Sequence, residues 1–179
     1  MKRQVALIRG INVGRAKRVP MAELREALTE RGFENVRTLL NSGNVVFDAD
    51  GSARSNASTV QEVIEERFGV TARVLGLATS ELATVVDENP LAGIADDPSR
   101  LMVVVAFDPD RLSALEPLAE REWGSEQLAV GSRAAYLWCP AGILASEANE
   151  AVGRALGDGA TTRNWRTTLK LQALAEREP

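Results

Sequence analysis

The groups best suited to holding a ligand are gathered near the start of the chain. Between Arg9 and Arg18 lie Arg9, Arg15, Lys17 and Arg18, set around Gly10 and Gly14 with Asn12 between the glycines, and no acidic residue follows until Glu23. Glycines allow the backbone to turn its N–H groups toward one point, and the arginines and lysine add charge there, which is the physical recipe for holding a phosphate or a carboxylate. The spacing GxxxG is neither the dinucleotide fingerprint GxGxxG nor the phosphate loop GxxxxGK[ST]. The loop therefore suggests an anion without naming a reaction, and a turn carrying solvated arginines is the competing reading. Asn41, Ser42 and Asn44 are expected to add polar groups to this site. A second group, Thr162, Arg163 and Asn164 with Thr161 before them, reads as the approach to a helix N-terminus. It could hold an anion or could simply cap the helix.

What is missing narrows the chemistry further. The chain has no histidine, which removes imidazole acid–base work, imidazole zinc sites and the histidine forms of nucleophilic catalysis. Lysine occurs only at Lys2, Lys17 and Lys170. Arginine is abundant, but it stays protonated and makes a poor base, so the balance tilts from catalysis toward binding. Cys139 is the single cysteine; it sits in the apolar run 134–139 and reads as a buried, inert thiol. Asp96-Asp97-Pro98 reads as a turn rather than a metal site. No metal and no cofactor are expected.

These residues must be positioned by elements that the periodicity defines. Val5 to Ile8 is a short apolar run, read as a strand covered on both faces, and Pro20 marks the first turn of a helix with Met21, Leu24 and Leu28 on one stripe and Gly32 beyond its end. Asn35 to Leu40 and Asn44 to Asp48 read as strands joined through Asn41-Ser42-Gly43. The small polar run 51–58 reads as a flexible loop before a helix with Val60, Val63, Ile64 and Phe68 inward, and Val70 to Leu77 reads as a fourth strand. The order β-α-β-β-α-β is the split βαβ arrangement of ferredoxin-like sheets. A short helix capped by Ser80 and stopped at Asn89-Pro90 leads into a loop.

The order then repeats. Leu101 to Phe107 is the strongest buried-strand signal. A helix is expected from Asp108-Pro109-Asp110 through Leu118, a hairpin turns at Gly131-Ser132, and a helix carries Ala148, Val152, Ala155 and Leu156. The last strand of this second cycle reads as short or absent, and a C-terminal helix starts near Thr162 or Asn164 with Trp165 as a core anchor. The expected fold is α+β: two ferredoxin-like lobes packed together, the second irregular, with residues 1–78 as the first lobe, 79–99 as connector and 100–179 as the second lobe.

Three segments carry a family resemblance: ALIRGINVGRAKRVPMAELREAL from Ala6, VRTLLNSGNVVF over Val36 to Phe47, and TTRNWRTTLKLQALA over Thr161 to Ala175. In order and spacing the chain resembles the conserved hypothetical proteins grouped as domain of unknown function 1697. It departs from that pattern at Arg166, where the family usually has asparagine, and near Ala145 to Ala148, where the family usually carries Ser-Lys-Leu. The resemblance implies a fold and no activity.

With 179 residues and 45% hydrophobic content, the chain can bury a sizeable core. Residues 1–50 hold nine Lys or Arg against six Asp or Glu, and the remainder twelve against nineteen. The low overall pI, near 5.1, and an aromatic content of 4% speak against nucleic acid as the partner. No apolar run reaches bilayer length and no signal peptide is read, so no membrane partner is expected and the cytoplasm is the expected compartment. The function expected is non-catalytic binding of a small anionic ligand. The alternatives are an enzyme acting on a phosphorylated or carboxylated metabolite without histidine, and a structural protein that pairs with itself as a homodimer.

Overall fold

The computed structural model describes residues 1–14 and 18–177. Two compact units emerge: Met1–Leu82 together with the chain from Leu171 onward, and Ala83–Lys170. Each contains a four-stranded antiparallel sheet.

The first unit runs β1 (Lys2–Arg9), α1 (Met21–Glu30), β2 (Glu34–Leu39), β3 (Asn44–Ala49), α2 (Ala53–Phe68) and β4 (Arg73–Ala78). Its sheet order is β2-β3-β1-β4, the split βαβ topology. Successive strand residues point to opposite faces. One face sends Ala6, Ile8, Val45, Phe47 and Val74 into a core with Leu24 and Leu28 of α1 and Val60, Val63 and Ile64 of α2. The residues between them, Val5, Leu7, Val46, Leu75 and Leu77, are buried as well, so this sheet has no wet face at its centre. A bulge breaks the β2–β3 register between Glu34 and Arg37, where Asn35 takes a φ of +50°.

Polar residues of β1 are tied individually. Arg3 forks onto Asp48, Nε to Oδ1 at 2.8 Å and Nη2 to Oδ2 at 2.9 Å, while its Nη1 donates to the Ala175 carbonyl at 3.4 Å. Gln4 accepts from Asn56 at 2.8 Å and donates to the Gly51 carbonyl at 3.1 Å. The Arg3 guanidinium, helped by the amide of Asn35, holds the Asp48 carboxyl below its ordinary range.

The second unit contains most of α3 (Thr79–Asp87), then β5 (Leu101–Ala106), a 3-10 segment Pro109–Leu115, α4 (Glu116–Ala119), β6 (Gln127–Val130), β7 (Ala134–Trp138), α5 (Glu147–Leu156), β8 (Ala160–Asn164) and the start of α6 (Trp165–Glu176). Its sheet order, β6-β7-β5-β8, repeats that of the first unit. Met102, Val104, Ala106, Ala135 and Leu137 pack with Leu112, Leu115, Val152 and Leu156. Cys139 belongs to this core and is fully buried, and burial pushes its thiol pKa up.

The architecture agrees with the expected α+β class and its two ferredoxin-like lobes; local details differ. The run 51–58 is not a loop: Ser52 accepts from the Ser55 amide at 3.1 Å and caps α2, which begins at Ala53. Asn56 then turns inward onto Gln4, a partner that periodicity along one helix cannot reveal. The helix expected from Pro109 to Leu118 is a 3-10 segment followed by a single α turn beginning at Glu116. Pro117 explains the break, because its missing N–H and its ring oppose a continuous helix. β8 is fully formed, pairing residue for residue with β5 from Ala106↔Ala160 to Met102↔Asn164. Its Ala-Thr-Thr-Arg-Asn sequence has no apolar alternation, and β-branched threonines together with the ladder to β5 hold it extended.

The Arg3–Asp48 fork and the buried thiol can each be tested. Asp48→Asn should lower unfolding stability at neutral pH by about 1–3 kcal/mol, the range for charge-assisted hydrogen bonds. Because the folded Asp48 pKa is depressed, this contribution is present above the unfolded value of about 3.9 and fades as pH falls through the folded one, so the variant should lose part of the parent's acid sensitivity. Urea midpoints at pH 7 and pH 3 check both, and identical midpoints at pH 7 would show that the pair contributes nothing. Cys139 should react with a thiol reagent only as fast as the second unit opens; labelling at the rate of a free thiol would contradict its burial.

Candidate functional site

β1 ends at the loop that the sequence singles out. Arg9, its last residue, stands across from Arg73 of β4, so two guanidinium-bearing residues share one level at that end of the sheet. The backbone then turns at Gly10 (φ +87°), Asn12 (+56°) and Gly14 (+63°). A Cβ built on Gly10 or Gly14 would meet nothing within 4 Å. Positive φ, rather than crowding, is what favours glycine at both positions. Arg18 is exposed and Val19 buried. Lys17 and Arg15 lie outside the described residues.

Asn12 closes this loop with its side chain. Oδ1 accepts from the Val19 amide at 2.9 Å while Nδ2 donates to the Val19 carbonyl at 3.0 Å, as a strand partner would. The second hydrogen of the same amide reaches the Asn41 carbonyl at 2.8 Å. One side chain thus joins both ends of the basic loop to the hairpin turn between β2 and β3. By sequence Asn12 is a candidate for touching the ligand, and in the structure its carboxamide bonds to Val19 and Asn41.

The hairpin turn comprises Leu40, Asn41, Ser42 and Gly43, one residue longer than expected, because Leu39 already pairs with Asn44. Asn44 is fully buried and donates to the Leu39 carbonyl at 2.8 Å and to Ser42 Oγ at 3.0 Å, bracing the turn from within. Gly43 passes close to β1: its carbonyl accepts from the Ile8 amide at 2.7 Å, and a Cβ there would lie 2.8 Å from Ile8 Cβ. Asn41 and Ser42 are exposed, and Leu40 has a φ of +60°. The loop and the turn contain two of the three non-glycine residues with positive φ among the described residues, Asn12 and Leu40.

Behind the loop, α1 begins after Pro20. Leu24 donates to the Pro20 carbonyl at 3.0 Å, and the earlier amides of Met21, Ala22 and Glu23 have no hydrogen-bond partner among the described residues. Glu23 is the one acid in that first turn.

The second candidate group belongs to the other unit. Thr162, Arg163 and Asn164 form the end of β8 and run directly into α6 at Trp165, so the helix starts at the later of the two expected positions, Asn164, and not at Thr162. Asn164 Oδ1 accepts from the Thr167 amide at 2.8 Å and caps α6, so its side chain is committed. Arg163 Nη1 donates to Thr161 Oγ1 at 3.0 Å and to the Thr162 carbonyl at 2.8 Å, and burial lowers its pKa to about 10. It remains a cation at neutral pH, held among its own strand's oxygens.

Two open concavities occur elsewhere among the described residues. One, of about 400 Å³, is formed within 119–128, where the Arg121 guanidinium lies 4.1 Å from the Trp123 ring centre. The other, of about 290 Å³, lies between α1 and α2 and is crossed by the ion pairs Arg31–Glu66 and Arg67–Glu30. No cluster of three or more metal-ligating side chains occurs among the described residues, and none of their helices is long and apolar enough to cross a membrane.

Two split βαβ units, the first carrying a glycine-turned basic loop stapled to a hairpin, define a class of α+β protein. The chain belongs to the protein family of unknown function DUF1697, whose model matches residues 1–136. Among solved structures it is similar to the conserved bacterial protein SP0830 from Streptococcus pneumoniae, at 25% identity and a TM-score of 0.74, covering 97% of this chain and 98% of that one. No curated protein matches.

The staple predicts its own defect. Asn12→Ala removes three hydrogen bonds and places alanine at a positive φ, so amide exchange at Val19 should accelerate and stability should fall by about 1–3 kcal/mol. Unchanged exchange at Val19 would show that the bond does not persist in solution.

Proposed function

We propose that the first unit binds a small anion, a phosphate or a carboxylate, at the loop from Arg9 to Arg18, and that it does so without catalysing a reaction. The observation that carries this reading is the Asn12 staple. It draws the ends of a basic, acid-free loop together beside a helix start whose first amides have no partner among the described residues. A helix start offers N–H donors and the positive end of the helix dipole. Arg9 and Arg18 supply charge from the two ends, Lys17 from the sequence between them, and exposed Asn41 and Ser42 add polar groups from the turn. The sequence has no histidine, and Glu23 in the first helical turn is the nearest acid along the chain.

Replacing Lys17 and Arg18 together by alanine tests the reading. Affinity for phosphate-bearing ligands, measured by calorimetry, should fall by about 1.5–3 kcal/mol for each charge-assisted hydrogen bond removed. Thermal stability should barely change, because exposed charges contribute little to folding. A double variant that binds every anion as the parent does would reduce the loop to a solvated turn.

A further inference from the structure

The concavity of about 400 Å³ within residues 119–128 lies wholly in the second unit, and its lining has a defined face. The chain turns at Gly124 (φ +66°), and Trp123 and Glu126 pair across that turn as antiparallel partners, the Glu126 amide donating to the Trp123 carbonyl at 3.2 Å. Residues paired directly opposite one another in this way project to the same side. The indole is fixed by its own bond, Nε1 donating to the Leu118 carbonyl at 2.8 Å, and the Arg121 guanidinium lies over the ring. Attraction to the ring is electrostatic and leaves the guanidinium N–H groups available. Among the described residues they donate no hydrogen bond and join no ion pair. Glu126 is anchored from the other side: Ser146 Oγ and the Ala148 amide each donate to its Oε2 at 3.0 Å, while Oε1 accepts no bond among the described residues. One turn thus presents an uncommitted guanidinium and an uncommitted carboxylate oxygen to the same cavity.

We propose that this cavity holds a small zwitterion, an amino acid or a short peptide, with its carboxylate on the Arg121 guanidinium and its ammonium at Glu126. The site is separate from the anion loop of the first unit and does not rest on it. The charges lining the cavity select the class: one guanidinium, Arg121, and two carboxylates, Glu122 and Glu126. A simple anion would gain the guanidinium and meet two acids, and a simple cation would gain the acids and meet the guanidinium. A molecule that carries both charges satisfies both sides, and guanidinium–carboxylate pairing adds a fixed two-point geometry. The volume, about 400 Å³, falls within the range of small-molecule sites, roughly 300–1,000 Å³. Ala119 and Leu128 complete the lining with apolar groups, which suits an aliphatic side chain.

Calorimetry on the full chain with leucine, isocaproate and isopentylamine tests the proposal, since the second compound lacks the ammonium and the third the carboxylate. Leucine should bind the parent at least about tenfold more tightly than either, as the loss of one charge-assisted hydrogen bond implies. In Glu126→Gln, whose amide oxygen can still accept from Ser146 and Ala148, the advantage of leucine over isocaproate should vanish while its advantage over isopentylamine remains. Arg121→Gln should do the reverse. Alanyl-leucine separates the two sources: tighter binding than leucine assigns the site to short peptides, weaker binding assigns it to free amino acids, and either supports the zwitterion. Equal affinity of the parent for leucine, isocaproate and isopentylamine, or binding of none of them, would overturn the proposal. A leucine preference that survives both single variants would remove the site from this cavity. So would its loss when Lys17 and Arg18 are replaced by alanine, because that change leaves the second unit untouched.

Discussion

β1 is hydrogen-bonded along both edges and buried on both faces, and that double constraint fixes where everything near the loop can be. In a strand with one wet face, a slip by one residue would expose the apolar set and bury the polar one. β1 lacks that safeguard, because Val5, Ala6, Leu7 and Ile8 are all apolar and all buried. Its polar residues set the register instead. Arg3 finds a carboxylate at Asp48, and Gln4 finds Asn56 and the Gly51 carbonyl. A slip would leave these groups buried without partners, which costs more than the same shift among aliphatic residues.

Register then determines reach. With Leu7 opposite Asn44, the Ile8 amide meets the Gly43 carbonyl, and the strand ends with the turn lying against it. Only in that alignment can Asn12 touch both Val19 and Asn41. The loop is therefore held by a chain of consequences that begins at the other end of the strand, with a guanidinium and a carboxamide. The loop inherits its position from the sheet, while its backbone turns stay local, at Gly10, Asn12 and Gly14.

Much of this architecture was legible in the residues. The apolar runs at Val5 to Ile8 and at Leu101 to Phe107, the glycine-bearing hairpin signals and the repeated order of elements were enough to indicate two split βαβ lobes. What the sequence hid was mostly cooperative. β8 has no alternation of its own and exists because β5 offers a ladder; the first turns of α2 look like a polar loop because their buried residues are a polar one, Asn56, and a small one, Ala57. At the candidate site, the glycines and basic residues stood out by type and spacing. The dual bond of Asn12 did not, since an asparagine between glycines reads equally well as a turn residue. Nor did the exposure of Leu40, because nothing in a string of letters separates a leucine ending a strand from one turned outward after it. The family resemblance supplied confirmation of fold alone.

The bulge in β2 has a bearing on how the protein meets copies of itself. β2 is an outer strand of its sheet, and an outer strand ordinarily offers a straight row of amides and carbonyls onto which another chain can add. At Asn35 the backbone turns to a φ of +50° and the pairing skips from Glu34 to Arg37, while the Asn35 side chain is drawn onto Asp48 at 2.8 Å. The extra residue twists the beginning of the strand and leaves only Arg37, Thr38 and Leu39 in even register, too short a rail for a stable β-ladder. Growth of this sheet by strand addition is discouraged at its exposed border, and an asparagine whose side chain looks dispensable in sequence acts there as a guard against fibrous assembly.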